Sequence, residues 1–191
     1  SDYNYMLDAK PNHKKFDLVI GNPPYMKVAK NAPEALAMPD ICYGAPNLYF
    51  LFASMSLFNL SDNGEMVYII PRSWTSGAYF KKFRQNFLNT AALEHIHLFV
   101  SRDKVFEKES VLQETIIIKV KKTTQRPDTI TISTTQDKSD FADKAMFSAP
   151  YETVVNGEED YVYLVTSEED VNTLSALNKL TETLPSICLL Y

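Results

Sequence analysis

The sequence predicts an α/β fold: a partial, doubly wound sheet, mostly parallel, followed by a smaller α+β appendage. Three observations carry this expectation. Short apolar runs at residues 16–21, 65–70 and 93–99 alternate with segments of helical character. The first two runs end at prolines, Pro23-Pro24 and Pro71, which stop a strand sharply. After Lys122 the texture changes to short alternating runs set in polar, turn-rich sequence.

Phe16 to Gly21 reads as a fully buried strand. Residues 22–46 then form a long loop containing Pro33, Pro39, Gly44 and Pro46. A loop of this length inside a compact domain is usually functional. Asn47 is placed to cap a helix running to about Asn59, and this helix is apolar on nearly every face, so it belongs in the core. Glu65 to Ile70 is the next buried strand. Pro71 to Ser76 then lies on the same rim as Asn22 if the two strands are parallel. Ala78 to Leu88 has helical periodicity, with Tyr79, Phe80, Phe83, Phe87 and Leu88 toward the sheet and Lys81, Lys82, Arg84 and Gln85 outward. Leu93–Phe99 and Val111–Val120 read as two further strands. No helix separates them, so the last should run antiparallel. Beyond lie a strand at Thr129–Ser133, polar turns over 135–160, a strand at Tyr161–Val165 and a helix over Glu168–Thr183 capped by Ser167. The expected organisation is a catalytic part over residues 1–122 and a connector over residues 123–191.

Bulk properties narrow the function classes. A chain of 191 residues that is 45% hydrophobic can bury one sizeable core and is no disordered tail. The net charge of −5 divides unevenly, with 16 basic against 12 acidic residues up to Arg126 and 3 against 12 after it. The front part tolerates a phosphate backbone and the back part repels one. Cys42 and Cys188 match no metal spacing and read as reduced thiols. With no signal peptide in view, the expected location is the cytoplasm. The apolar run Leu48–Leu60 is too short to span a bilayer. His95 and His97 share a strand face without a third ligand, so packing or exposure outweighs a metal site, and no metal is expected.

Asn22, Pro23, Pro24 and Tyr25 are the most informative residues. Two prolines after a strand hold a rigid turn at its carboxyl end, where ligands bind in open α/β sheets. The Asn22 side chain and the Pro23 carbonyl can accept hydrogen bonds from an NH2 group, and Tyr25 can stack on the ring that carries it. The stretch Asp17 to Tyr25 resembles the catalytic motif of methyltransferases that methylate an exocyclic amine, chiefly of adenine in DNA. The order of elements from Asp17 to Lys122 is similar to the catalytic domain of restriction–modification adenine-N6 methyltransferases, type II and IIG-like. Asn47-Leu48-Tyr49 and the run Gly64 to Trp74 look like that family's middle motifs, and Val105 to Val120 like its last.

The resemblance implies a Rossmann-like methyltransferase sheet, S-adenosyl-L-methionine as cofactor and double-stranded DNA as partner. It also implies a base turned out of the helix, with catalytic Asn22, Pro23, Pro24 and Tyr25. Asn22 would also border the cofactor. Phe106 matches the position of a second ring against the extruded base, though a core role for it stays open. Arg102, Lys104 and Lys108 flank it and suit either phosphates or solvent.

The departures matter as well. The family holds its cofactor in a glycine-rich turn. The five glycines here are Gly21, Gly44, Gly64, Gly77 and Gly157, so no such turn exists. The chain therefore reads as the back half of a catalytic domain with a hinge, leading toward a missing target-recognition domain. Alone it is expected to be inactive and not to bind S-adenosylmethionine appreciably. The Phe16–Gly21 strand is expected at or next to a broken sheet edge, through which the fragment self-associates. Two other readings stay open: a protein glutamine N-methyltransferase, which uses a similar turn, and a non-catalytic interaction module.

Overall fold

The structure is a computed structural model that describes residues 15–43, 46–100, 114–136 and 141–179. Phe106 lies outside the described residues, as do Arg102, Lys104, Lys108, Gly44 and Cys188.

Six strands form one sheet in the order β1-β2-β4-β3-β5-β6. They are β1 (Phe16–Gly21), β2 (Leu60–Pro71), β3 (Ala92–Phe99), β4 (Thr115–Lys121), β5 (Thr129–Thr135) and β6 (Ala145–Pro150). β1 runs parallel to β2, and β3 parallel to β5; β4 lies antiparallel between β2 and β3, and β6 antiparallel to β5. Four strands therefore point one way, and their carboxyl ends share one rim. The antiparallel strand expected after β3 is present and is inserted between β2 and β3.

The helices agree with the sequence pattern, with two instructive differences. α1 (Pro33–Leu36) is one short turn within the long loop. α2 (Leu48–Asn59) starts where the Asn47 side chain accepts from the Tyr49 amide at 3.3 Å, as its sequence predicts. Its apolar faces are buried, and Ser56 bonds the Tyr68 hydroxyl on β2 at 2.6 Å. α3 (Lys81–Thr90) begins three residues later than its periodicity suggests, because residues 78–80 form a tighter 3-10 turn. That change of phase turns Tyr79 outward, 68% exposed, where the sequence pattern places it inside.

Arg84, expected outward, is fully buried. Residues 157–161 fold back over α3 and cover it. Its guanidinium donates to the carbonyls of Glu159, Trp74 and Gly77 at 2.9, 3.0 and 3.2 Å and lies 4.8 Å from the Tyr161 ring centre. Burial lowers the Arg84 pKa, and the nearby Tyr161, Glu159 and Asp160 oppose that shift. Lys81 adds a 2.9 Å ion pair to Glu159.

β1 differs most from expectation. Its sequence reads as a fully buried strand, yet Phe16, Leu18 and Ile20 are 45, 52 and 71% exposed. The physical reason is position. Among the described residues β1 is an edge strand paired only with β2, the position expected from its sequence. Along the sheet the same face continues through the half-buried Val67, Ile69 and Ile117. The opposite face, with Met66, Tyr68, Ile70, Ile118 and Ile96, is buried in the core with α2 and α3.

The sheet does not stop at Lys122. β5 and β6, whose sequence reads as an appendage, join it through β3. The remaining elements are small: α4 (Tyr151–Val154), a two-residue pairing of β7 (Val155–Asn156) with β8 (Tyr161–Val162), and α5 (Glu168–Leu177). The strand expected over Tyr161–Val165 is thus shorter. The helix start is as expected, with Ser167 and Asp170 forming a reciprocal capping box.

Candidate active site

Gly21 sets the approach to the turn. A Cβ there would stand 2.7 Å from the Tyr68 ring, so only glycine lets the end of β1 lie flat on it. Asn22 and Pro24 are exposed, Pro23 is buried and Tyr25 is half-buried. The Tyr25 hydroxyl lies 2.8 Å from Asn22 Oδ1 and 2.9 Å from the Ile69 carbonyl of β2. It carries one proton, so it donates fully to only one acceptor at a time. Sequence reasoning assigns Tyr25 a stacking face and misses this hydroxyl contact, which depends on the parallel pairing of β1 with β2.

The loop beyond Tyr25 is closed at its foot. The Val28 amide donates to the Pro46 carbonyl and the Leu48 amide to the Met26 carbonyl, each at 2.8 Å, and Lys27 bridges Asn47. This pairing brings the start of α2 against the turn. The Tyr49 ring meets Tyr25 edge-on, with centres 6.3 Å apart. Its hydroxyl bonds Ser73 Oγ at 3.3 Å, and burial raises its pKa well above the usual phenol range. Tyr49, which the sequence marks only as part of the Asn47-Leu48-Tyr49 motif, thus lies against the turn.

The second wall of the rim is the 3-10 turn Arg72–Thr75 at the end of β2. The Arg72 amide donates to the Glu114 carbonyl at 2.9 Å, and its guanidinium pairs with the Glu114 carboxylate. Trp74 is fully buried, packed on Phe83 and Phe87 with ring centres 5.8 and 5.4 Å away. It anchors the wall from inside and does not face the rim.

His95 and His97 point into a polar network on β5. Ser133 Oγ lies 2.7 Å from His95 Nε2 and 2.8 Å from His97 Nδ1, and Thr135 Oγ1 lies 3.2 Å from His97 Nε2. Burial depresses the His95 pKa, and Lys144 and Lys119 push it further down. Among the described residues, no group of three or more His, Cys, Asp and Glu is placed to hold a metal ion.

The rim therefore offers an amide acceptor, a rigid backbone turn and a tethered aromatic ring in one place. It does not offer a cradle for a nucleotide cofactor. Such a cradle needs closely spaced glycines, and the nearest pair here is Gly64 and Gly77. Among the described residues no glycine-rich turn is present to hold S-adenosylmethionine.

Residues 2–106 match the model of the Eco57I restriction-modification methylase family. The chain belongs to this family. It is 36% identical over 177 residues to the type II methyltransferase M.BsuBI of Bacillus subtilis, which spans 92% of this chain and 33% of the relative. It is 32% identical over 158 residues to M.PstI of Providencia stuartii, spanning 82% of this chain and 31% of the relative. The chain thus spans about a third of the length of these methyltransferases. Its fold is similar to a Listeria monocytogenes structure assigned to the class I S-adenosylmethionine-dependent methyltransferases. The TM-score is 0.53 at 15% identity, covering 67% of this chain and 39% of that one. None of the described helices is long and apolar enough to cross a membrane.

Proposed function

We propose that these residues form the amine-binding half of a DNA adenine-N6 methyltransferase. The intact polypeptide transfers a methyl group from S-adenosylmethionine to an adenine turned out of double-stranded DNA, and it acts in the cytoplasm as part of a restriction–modification system. The observation that carries the reading is the turn at Asn22–Tyr25: an exposed amide oxygen at a parallel strand's carboxyl end, hydrogen-bonded to the ring beside it. Residues up to Lys122 belong to the back half of the catalytic domain. The strands and helices after it extend that sheet and lead toward a target-recognition region. The cofactor is held mainly by parts of the polypeptide outside these 191 residues, with Asn22 at its border.

Adenine's amine is a weak nucleophile because its lone pair is shared with the ring. When Asn22 Oδ1 and the Pro23 carbonyl accept its two hydrogens, electron density returns to the nitrogen and no charged base is required. Asn22 Oδ1 accepts from the Tyr25 hydroxyl through one lone pair and has a second for the amine. With the Ile69 carbonyl as its other acceptor, the Tyr25 hydroxyl stays tethered whichever of the two it donates to as the base arrives. Extruding a base costs a few kcal/mol. Stacking on Tyr25 returns about 1–3 kcal/mol, and Phe106 is proposed as a second stacking wall.

The test uses the intact protein on unmethylated duplex DNA. Asn22→Ala is expected to lower methyl transfer by a hundredfold or more, on the order of losing one preorganised hydrogen bond, with DNA affinity nearly unchanged. Tyr25→Phe keeps the stacking face and loses the tether, so turnover falls only a few-fold, whereas Tyr25→Ala also weakens base capture. Near-wild-type turnover by Asn22→Ala would falsify the reading.

A further inference from the structure

We propose that Tyr43 and Tyr79 form a second aromatic contact beside the catalytic turn, taking one nucleobase of the DNA strand that carries the target. The proposal rests on the reading above as a DNA methyltransferase. Tyr43 comes from the long loop after β1, and Tyr79 from the 3-10 turn beyond β2. They are 58 and 68% exposed, yet their ring centres stand 6.5 Å apart with planes inclined at 37°. Two large aromatic rings brought together in water from segments 36 positions apart in sequence (43 and 79) form a built feature, not scattered surface apolarity.

The location ties the pair to the site. Tyr79 precedes Phe80, whose ring centre lies 6.0 Å from Tyr49, and Tyr49 lies 6.3 Å from Tyr25. Ring contacts thus lead from the turn as far as Phe80, and its sequence neighbour Tyr79 carries the exposed pair beside that end of the sheet. The ring separation is close to twice the roughly 3.4 Å spacing of stacked bases. One planar base fits between the rings once they turn parallel. Stacking suits any base, because every base has a π-face. Lys82, one helical turn beyond Tyr79, is exposed and close enough to lower the Cys42 thiol pKa against the raising effect of burial. It is placed to meet the phosphate of the captured nucleotide. Asp40 is the exposed acid on the same loop, so the contact depends on stacking more than on charge.

The experiment measures DNA binding by the full-length protein and its Tyr43→Ala/Tyr79→Ala double variant, with 2-aminopurine at the target and at each flanking position. The double variant is expected to bind at least about fivefold more weakly, the lower range for losing one stacked base. It should also lose the fluorescence change at one flanking position. The Tyr43→Phe/Tyr79→Phe variant is expected to bind within about twofold of wild type, because the ring faces remain. Unchanged affinity in the alanine variant overturns the proposal, as does an equal loss in the phenylalanine variant. So does protection of both tyrosines from nitration in the full-length protein before DNA is added, since the rings would then belong to a protein interface. If wild type methylates DNA and the double variant binds as well as it does, this inference alone fails. If wild type neither binds nor methylates DNA, the methyltransferase reading fails with it.

Discussion

Both edge strands of the sheet leave apolar side chains exposed, Met146 on β6 and Phe16, Leu18 and Ile20 on β1, but only the β6 end has a face covered by later segments. At the β6 end, Tyr151, Val154, Val162, Val165 and Val171 are buried against Ile130, Ile132 and Ala149. At the β1 end, Phe16, Leu18 and Ile20 stand in water. An apolar strand states what it is suited to touch; burial depends on what lies beside it. The closed end supplies stability and the open end carries the Asn22–Tyr25 turn. The open end is therefore the place where the rest of a longer polypeptide would pack.

The comparison breaks most visibly under truncation. Ile132→Ala in the isolated chain is expected to cost about 2–5 kcal/mol in urea denaturation, whereas Ile20→Ala should cost less than about 0.5 kcal/mol. In the intact protein the Ile20 substitution should approach the first value. Equal effects of Ile20→Ala in both contexts would show that nothing covers β1.

A charge at the open edge sharpens the contrast. We expect the isolated chain to self-associate through β1, and Ile20→Lys to shift it toward monomer in light scattering. A wild-type chain that stays monomeric at high concentration removes this expectation.

The smallest effect belongs to the closed end. The fold holds His95 neutral and its pKa below 6.5, mainly by burial. The unfolded chain takes up that proton at higher pH, so acidification favours unfolding. The contribution is complete above the ordinary histidine pKa and is lost as pH falls toward the lowered one. Melting temperature should fall modestly between about pH 7.5 and about pH 5.5. His95→Gln should flatten that slope, and an unchanged slope would assign it to other groups.

Local signals are legible where local physics decides the outcome. The helix at 48–59 is readable because Asn47 caps a continuous apolar run. The antiparallel direction of β4 is readable from the missing crossover helix. The Asn22–Tyr25 turn is readable from its prolines, and the parallel pairing places it on the same rim as residues 71–76. The features hidden from the sequence depend on contacts between distant segments. Arg84 looks like a surface residue until residues 157–161 close over it. Tyr79 looks like a core residue until the 3-10 turn changes the phase. The Ile69 carbonyl reaches Tyr25 only through the pairing of β1 with β2. β5 is legible as a strand, but its place beside β3 is not, because a seven-residue alternating run carries no record of its neighbour.

Because Met26, Lys27 and Val28 are laced to Pro46, Asn47 and Leu48, changes farther along that loop are absorbed before they reach Asn22. Doubling the length of a flexible loop adds only about 0.6 kcal/mol of closure entropy. Insertions at the exposed residues 29–31, outside the buried Met38 and Ile41 and before Tyr43, should therefore leave the turn in register. Natural variation should concentrate in that stretch, and hybrid enzymes should be joined there.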